Sequence, residues 1–407
     1  MLPYRKLASN TLFQILARVI TSGSSFLITI FIARHFGVMG YGDFAKIVAF
    51  ISVFYLFSDF GFNAMFLQKK DAHLRFRDLF YARIVLSLAL IILLAIGVLF
   101  LPYNTLTNVG YSPLVKLGIF IFSFTLVTES ILFSAAAVFQ RKLVYEYQLI
   151  AGIVGSIATV ALVFLFSIFH FTFLFLVFAF VIGGIIEAVL SLFLIDEKLF
   201  PISIDTTFIK NLTKETLPIT AMLLFNLVYF RIDIILLALF KSTTDVALYD
   251  LAYKFFDFLI AIPLFLSNVL YPSLIVPGEN SRKNYSRYIF YILGFLGFGI
   301  VVGVPIWFAS PLLQFIKSDF LLSMIPLRIL LLSLPIFFAT SIMQWILIAK
   351  KQQKFLMYVY IFWAVINVIF NLLFIPRFSY VASAIITDAC EMGVFILLAI
   401  RLLAKKS

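Results

Sequence analysis

The segment Leu217–Phe240 reads LPITAMLLFNLVYFRIDIILLALF, and the nearby segment Asp250–Ser267 reads DLAYKFFDFLIAIPLFLS. Each approaches the roughly 20 mostly apolar residues that a helix needs to cross a bilayer. Yet the first contains Arg231 and Asp233, and the second contains Lys254. A Lys or Arg at the centre of a membrane helix costs roughly 2.5–3.5 kcal/mol, so such cations usually face a protein interior or a water-filled cavity. A cavity with a positive lining favours an anionic cargo.

The composition extends this pattern to the whole chain. Of the 407 residues, 63% are hydrophobic and only 12% are charged, and the mean hydropathy is +1.12. These values predict an integral membrane protein. The single cysteine, Cys390, lies in an apolar segment, so neither an intrachain disulfide nor a cysteine-based metal site is expected.

Twelve apolar stretches are long enough to span a membrane, and they fall into two sets of six. Their approximate limits are 11–34, 44–67, 79–101, 114–139, 148–169, 171–195, 217–240, 250–276, 286–309, 322–349, 355–375 and 380–403. The longest polar island, Asp196–Glu215, separates the sets. Sliding the second set by 208 residues pairs Tyr41 with Tyr249 and Lys46 with Lys254. We predict an all-α polytopic fold with two six-helix bundles, residues 1–200 and 201–407, around a central cavity.

The positive charges predict the orientation. Alternate polar islands beginning with the N-terminal one hold 21 Lys and Arg residues, whereas the other islands hold 5. Because cytoplasmic loops retain positive charge, both termini are predicted to be cytoplasmic. Topology and anionic lipid headgroups account for the net charge of +12 without a nucleic-acid partner.

Acidic residues accompany the cation of the eighth span. Asp250, Lys254 and Asp257 follow a spacing of four and three residues, which places them on one helical face. They can form a self-neutralising ladder. Alternatively, Lys254 binds an anion while a carboxylate accepts a proton or a sodium ion.

Other buried charges leave similar alternatives. Arg231 and Asp233 lie about 200° apart on their helix, so one can face the cavity while the other pairs with a neighbouring helix, and we favour Arg231 for the cavity. Arg18 and Asp59 are both on the cytoplasmic side of adjacent spans, where they can form an ion pair or bind ligands. Asp388 and Glu391 share a face of the last span. They can form a proton relay, or they can bond to groups of another helix and have a structural role.

Two further cations, Lys46 and Arg328, lie near enough to the predicted outer surface to snorkel. Polar and aromatic residues suited to sugars also occur within the spans, although each can simply join two helices: Gln14, Asn226, Tyr229, Asn268 and Tyr271. No intramembrane histidine cluster, nucleophile constellation or nucleotide-binding loop is recognisable, so neither an enzyme nor a cofactor or metal site is predicted.

Two strips of sequence resemble the Wzx-type oligosaccharide flippases, the polysaccharide transporter branch of the multidrug/oligosaccharidyl-lipid/polysaccharide exporter superfamily. The first strip comprises Ala33-Arg34-His35-Phe36-Gly37, Tyr41-Gly42-Asp43-Phe44-Ala45 and Ser58-Asp59-Phe60-Gly61. The second comprises Arg231-Ile232-Asp233, Tyr249, Ala252-Tyr253-Lys254, Pro263 and Tyr271-Pro272. Each strip lies near the start of one half of the chain.

The resemblance implies alternating access of an inner-membrane flippase for an oligosaccharide repeat unit on undecaprenyl diphosphate. The product serves surface polysaccharides such as O-antigen (lipopolysaccharide), capsule or exopolysaccharide, with the polymerase and chain-length regulator of that pathway as partners. In this interpretation Arg18, Arg231 and Lys254 bind the diphosphate, and Asp59, Asp250, Asp257, Asp388 and Glu391 are candidates for ion coupling. The rivals are a lipid II flippase, a cation-coupled multidrug exporter and a membrane enzyme of glycan assembly.

Overall fold

A computed structural model describes the chain at residues 4–69, 75–169, 171–197, 199–202, 204–275 and 281–403. The helices are α1 Tyr4–Asp59, α2 Phe62–Phe66, α3 Phe76–Leu99, α4 Pro113–Phe122, α5 Thr125–Lys142, α6 Tyr145–Ile168, α7 Phe173–Leu194, α8 Thr206–Phe240, α9 Thr243–Ile275, α10 Ser281–Ala309, α11 Met324–Ala349 and α12 Gln353–Leu403. Two short 3₁₀ helices precede α11, and an antiparallel pair, β1 Tyr103–Asn104 and β2 Val109–Gly110, lies between α3 and α4. The predicted all-α architecture is confirmed.

Ten helical segments within the described residues are long and apolar enough to cross a membrane. The two longest of these segments, with 44 and 50 residues, contain most of α1 and α12, and each of these two helices is interrupted by one residue with non-helical backbone angles. Gly37 has φ of 69° in α1, and Ser379 has φ of 54° in α12. Because each bend joins two helices, these segments account for four of the twelve predicted spans.

Two stretches between the predicted spans are helical in whole or in part. Residues 38–43 continue as helix after Gly37, where a left-handed backbone angle lets the chain bend without a loop. The island Asp196–Glu215 is likewise not all loop, since α8 begins at Thr206. Its polar residues Lys210 and Glu215 therefore lie on a helical extension of the apolar span.

The chain divides into two compact units. Unit 1 comprises residues 1–36 and 43–224, and unit 2 comprises residues 37–42 and 225–407, so the division falls within α8. In unit 1, α7 packs against α4, α5 and α6, and a cluster of buried aromatic residues includes Phe62, Phe66, Phe76 and Phe139. In unit 2, α11 contacts α9, α10 and α12 and contributes the largest share of fully buried side chains.

A carboxylate fixes the start of α8 in unit 1. The Asp205 carboxylate accepts hydrogen bonds from the N–H groups of Thr207 and Phe208, both at 3.0 Å, and its second oxygen lies 2.8 Å from the Arg75 guanidinium. The first turn of a helix leaves its N–H groups without helical partners, so such a cap stabilises it. The hydrogen bond from Phe208, together with the charge of Arg75, lowers the pKa of the Asp205 carboxyl from its usual value.

Replacing Asp205 with Ala is therefore expected to lower the thermal unfolding midpoint of the purified protein at neutral pH. A carboxyl whose pKa is lowered by folding stabilises the folded state above its unfolded-state pKa, and this contribution is lost as the pH falls through its folded-state pKa. The difference between variant and wild type should thus shrink in acid. Asp196→Ala is the control, because that side chain is fully exposed. An equal effect of both substitutions would contradict a capping role.

Candidate functional site

The predicted charges of α8 and α9 meet within unit 2. Arg231 on α8 donates to the Asp257 carboxylate on α9 over 2.6 Å, and its guanidinium lies 5.4 Å from the centre of the Tyr253 ring. The side chains of Arg231 and Asp257 are 28% and 27% exposed. Arg231 and Asp257 therefore form an ion pair that joins two helices and remains partly accessible.

Asp233 lies on a different face of α8, as the helical spacing predicted. It is buried, and its carboxylate accepts hydrogen bonds from the Tyr249 hydroxyl of α9 and from the N–H of Ile234. Asp250 is also buried and accepts a hydrogen bond from the Tyr41 hydroxyl. The offset of 208 residues aligns Tyr41 with Tyr249. The internal alignment therefore pointed to the two tyrosines that donate hydrogen bonds to these carboxylates.

The proposed ladder along α9 does not form. The Asp257 carboxylate pairs with Arg231, the Asp250 carboxylate accepts a hydrogen bond from Tyr41, and neither forms an ion pair with Lys254. Lys254 is half-buried, and among the described residues no hydrogen bond or ion pair reaches its ammonium group. Within a membrane-spanning helix, unit 2 thus carries a cation that has no ion-pair partner in the part of the chain that the structure describes.

Asp388 and Glu391 both face α11. The Ser333 hydroxyl donates to Asp388, while the hydroxyls of Thr340 and Tyr229 donate to the two carboxylate oxygens of Glu391, the latter at 2.8 Å. Neither carboxylate has a cationic partner among the described residues, so hydroxyl groups provide their hydrogen bonds. Sequence reasoning placed the two acids on one face but did not identify these partners.

Glu391 also lines a pocket of about 210 Å³ in unit 2, which we call the polar pocket. Four helices of the unit, α8, α9, α11 and α12, contribute to it. Its lining residues are Asn226, Phe230, Ile260, Leu264, Phe337, Thr340, Ser341, Gln344, Tyr360 and Glu391. The lining contains amide, hydroxyl and carboxylate groups and no Lys or Arg. Of the residues predicted to suit sugars, Asn226 lines the pocket directly and Tyr229 holds its carboxylate.

The remaining predicted polar residues are placed differently. Tyr271 packs against Trp345, with ring centres 4.6 Å apart. The side chains of Gln14, Arg18 and Asn268 lie outside the part of the chain that the structure describes. Within that part, no group of three or more His, Cys, Asp and Glu side chains is arranged to hold a metal ion.

In unit 1, Asp59 pairs with a buried cation that is not among the site residues predicted from the sequence. Arg83 is fully buried on α3, and its guanidinium donates to both the carboxylate and the backbone carbonyl of Asp59, each at 3.2 Å. The rings of Phe62 and Phe133 lie 5.6 and 5.9 Å from the guanidinium. This geometry gives Asp59 a structural partner, because a fully buried guanidinium needs a nearby negative charge.

Protein groups bind both Lys46 and Arg328. Lys46 is only 1% exposed and donates to the Gly110 carbonyl of β2 over 2.6 Å, so the β1–β2 hairpin supplies its acceptor. Arg328 donates to the Ser310 hydroxyl over 2.8 Å and lies 4.5 Å from the centre of the Trp307 ring. The snorkelling prediction is wrong for Lys46, because a protein carbonyl binds its ammonium group in a buried position. For the half-buried Arg328 it stays a prediction.

Comparison with known families supports the resemblance found in the sequence. The family model described as "Polysaccharide biosynthesis protein" matches residues 7–275, and the MatE model matches residues 218–373. A search of curated protein sequences finds no match.

Solved structures share the fold at low sequence identity. Lipid II flippase MurJ, in an inward closed conformation, has a TM-score of 0.79 and 18% identity, covering 96% of this chain and 87% of that chain. An inward-facing multidrug resistance MATE family transporter of the MOP superfamily has a TM-score of 0.71 and 12% identity, covering 98% and 100%. A MOP superfamily transporter from Pyrococcus furiosus, with a binding pocket described as reversed in polarity, has a TM-score of 0.54 and 13% identity, covering 99% and 96%.

The Arg231–Asp257 pair yields a stability prediction. Arg231→Ala leaves the half-buried Asp257 carboxylate without its partner, which should cost about 1 kcal/mol, the lower end of the range for an unsatisfied buried group. The double variant Arg231→Gln, Asp257→Asn keeps two polar side chains without a charge and should recover part of that loss. Thermal unfolding of the detergent-solubilised variants measures the difference. Equal unfolding midpoints for the single and double variants would argue against a stabilising pair.

Proposed function

Because the chain belongs to the polysaccharide biosynthesis protein family, we propose that it is a flippase for a lipid-linked oligosaccharide. The cargo is a sugar repeat unit on undecaprenyl diphosphate, moved from the inner to the outer leaflet of the cell membrane by alternating access of two helical bundles. The exported unit is used for surface polysaccharide such as O-antigen, capsule or exopolysaccharide. The polymerase and chain-length regulator of that pathway are the proposed partners, and both termini are proposed to be cytoplasmic.

The observation that carries this proposal is the ammonium of Lys254, which forms no ion pair or hydrogen bond with any of the described residues. A cation in a membrane-spanning helix is costly without a partner, and the nearby carboxylates of α9 are bonded to other groups. A diphosphate supplies the missing negative charge, and charge-assisted hydrogen bonds to phosphate oxygens are among the strong ones. Arg231 stands on the adjacent helix with part of its side chain accessible, so it can add a second contact.

Two related functions share features with this chain. A lipid II flippase also moves a lipid diphosphate, and the likeness to MurJ extends over nearly the whole chain, but at 18% identity it bears on the fold alone. A multidrug exporter is favoured by the MatE match over residues 218–373 and by the buried carboxylates of unit 2. The free cation Lys254 disfavours cationic drugs as cargo, because like charges repel. An enzyme of glycan assembly has no recognisable nucleophile here.

Lys254→Ala is expected to reduce transport of a fluorescent lipid-linked oligosaccharide in proteoliposomes by about 10-fold or more. This follows from the loss of a hydrogen bond to a charged group, about 1.5–3 kcal/mol. Lys254→Arg should keep part of the activity because it keeps the charge. Lys354→Ala is the matched control, since Lys354 is exposed at the start of α12. Full transport by Lys254→Ala would exclude the ammonium as a ligand for the diphosphate.

The carboxylates of α12 are proposed to couple transport to an ion gradient. They have hydroxyl partners and no cation among the described residues, so either can take up a proton or a sodium ion without breaking an ion pair. The double variant Asp388→Asn, Glu391→Gln should make proteoliposome transport independent of an imposed pH or sodium gradient. Asp319→Asn, at an exposed position outside α12, is the control. Unchanged coupling in the double variant would assign both carboxylates to structure.

A further inference from the structure

The polar pocket contains groups that hydrogen-bond both as donors and as acceptors. Glu391 receives one hydrogen bond on each carboxylate oxygen, which leaves a second acceptor position on each. Tyr360 accepts a hydrogen bond from the Gln344 amide, so its own hydroxyl proton remains free to donate. Among the described residues, no hydrogen bond reaches the amide of Asn226. A ligand rich in hydroxyl groups matches this mixture, because each hydroxyl both donates and accepts.

The size and apolar lining of the pocket restrict the ligand further. A cavity of about 150 Å³ accepts one benzene ring, so about 210 Å³ accommodates one six-membered ring with substituents. Phe230 and Phe337 supply aromatic surface, against which the C–H groups of a sugar ring can pack. The absence of Lys and Arg from the lining excludes a phosphate as the preferred occupant.

The pocket also lies at a suitable distance from the proposed phosphate ligands. The bonds Asp233–Tyr249 and Arg231–Asp257 show that α8 and α9 run antiparallel. Asn226 precedes Arg231 by five residues, about 7.5 Å along the helix, and Ile260 follows Lys254 by six residues, about 9 Å. Both helices therefore place the pocket on the same side of the cations, at a separation that a diphosphate and its glycosidic bond can bridge.

We propose that the polar pocket binds one pyranose ring of the cargo, with Glu391, Gln344, Tyr360 and Asn226 as hydrogen-bond partners of its hydroxyl groups. This inference rests on the proposed function and adds to it a sugar subsite that is separate from the phosphate-binding cations. The diphosphate supplies affinity common to every cargo, whereas the pocket supplies selectivity for the first sugar.

The test compares the affinities of two kinds of probe for the purified protein in nanodiscs. One is farnesyl diphosphate, and the other is the same lipid diphosphate carrying a single hexose. Three hexoses are used, namely glucose, galactose and N-acetylglucosamine. We expect at least one glycosylated probe to bind about 10-fold more tightly than the bare diphosphate. The double variant Gln344→Leu, Tyr360→Phe should bring this ratio close to one and leave the Kd for the bare diphosphate unchanged.

The matched control is Gln353→Leu, Tyr358→Phe, which makes the same two changes at exposed positions of α12. It should keep the wild-type ratio. Lys254→Ala should weaken the binding of all probes equally and so keep the ratio as well. Glu391 is left unchanged in this comparison because it is also a candidate for ion coupling, so its substitution would test two roles at once.

The outcomes separate the sugar subsite from the function on which it rests. A wild-type ratio of one, or a ratio that survives Gln344→Leu, Tyr360→Phe, would overturn the sugar subsite. Sodium binding is measured on the same variant. If it is lost while the ratio is unchanged, the pocket binds a cation and the sugar subsite is also overturned. If the ratio depends on the pocket but Lys254→Ala leaves all probes unaffected, the subsite is supported and the proposed diphosphate site is wrong. Failure of every probe to bind contradicts both.

Discussion

A charge inside a membrane-spanning helix must find a partner, and this requirement determines which helices of the chain are joined. In unit 1, the buried guanidinium of Arg83 connects α3 to the end of α1 through Asp59. In unit 2, Arg231 connects α8 to α9 through Asp257. Apolar side chains give membrane helices little preference for one another over lipid, since lipid tails are as apolar as Leu side chains. The two ion pairs therefore fix which helices are neighbours. Lys254 departs from the rule among the described residues, and a position that departs from a strong rule is where a ligand is expected.

The fold could be predicted from sequence because the membrane makes apolar length decisive. A stretch of roughly 20 apolar residues has few alternatives to a helix in a bilayer, where every backbone group must be satisfied internally. Ends of helices were less predictable. Gly37 and Ser379 replace expected loops with single bent positions, and polar residues such as Lys210 lie on a helical extension of α8. Hydropathy indicates which residues favour lipid. It contains no information on whether the chain continues as a helix after the apolar span ends.

The charged residues of the candidate site could be predicted from the sequence, but their hydrogen-bond partners could not. Helical spacing placed Arg231 and Asp233 on different faces and Asp388 and Glu391 on one face. It could not show that hydroxyls of Tyr249, Thr340 and Ser333 would be the hydrogen-bond donors, because those contacts depend on which helices become neighbours. Arg83 shows the same limitation. Eight residues into α3, it looked like the edge of a basic island, and only its contact with Asp59 reveals a buried cation.

The arrangement in unit 2 also suggests how affinity and selectivity can be divided along one pair of helices. Arg231 lies in the second half of α8 and Lys254 in the first half of α9, where a diphosphate is recognised by charge, whatever sugar it carries. Toward the start of α8 and the end of α9 the lining becomes uncharged apart from Glu391, and recognition there requires hydrogen bonds with defined directions. A buried polar site rejects a ligand that leaves its groups unpaired more strongly than an apolar site rejects a ligand of the wrong size. Variation among cargo sugars should therefore be accommodated by changes at positions such as Asn226 and Gln344, while Lys254 and Arg231 keep one chemical task.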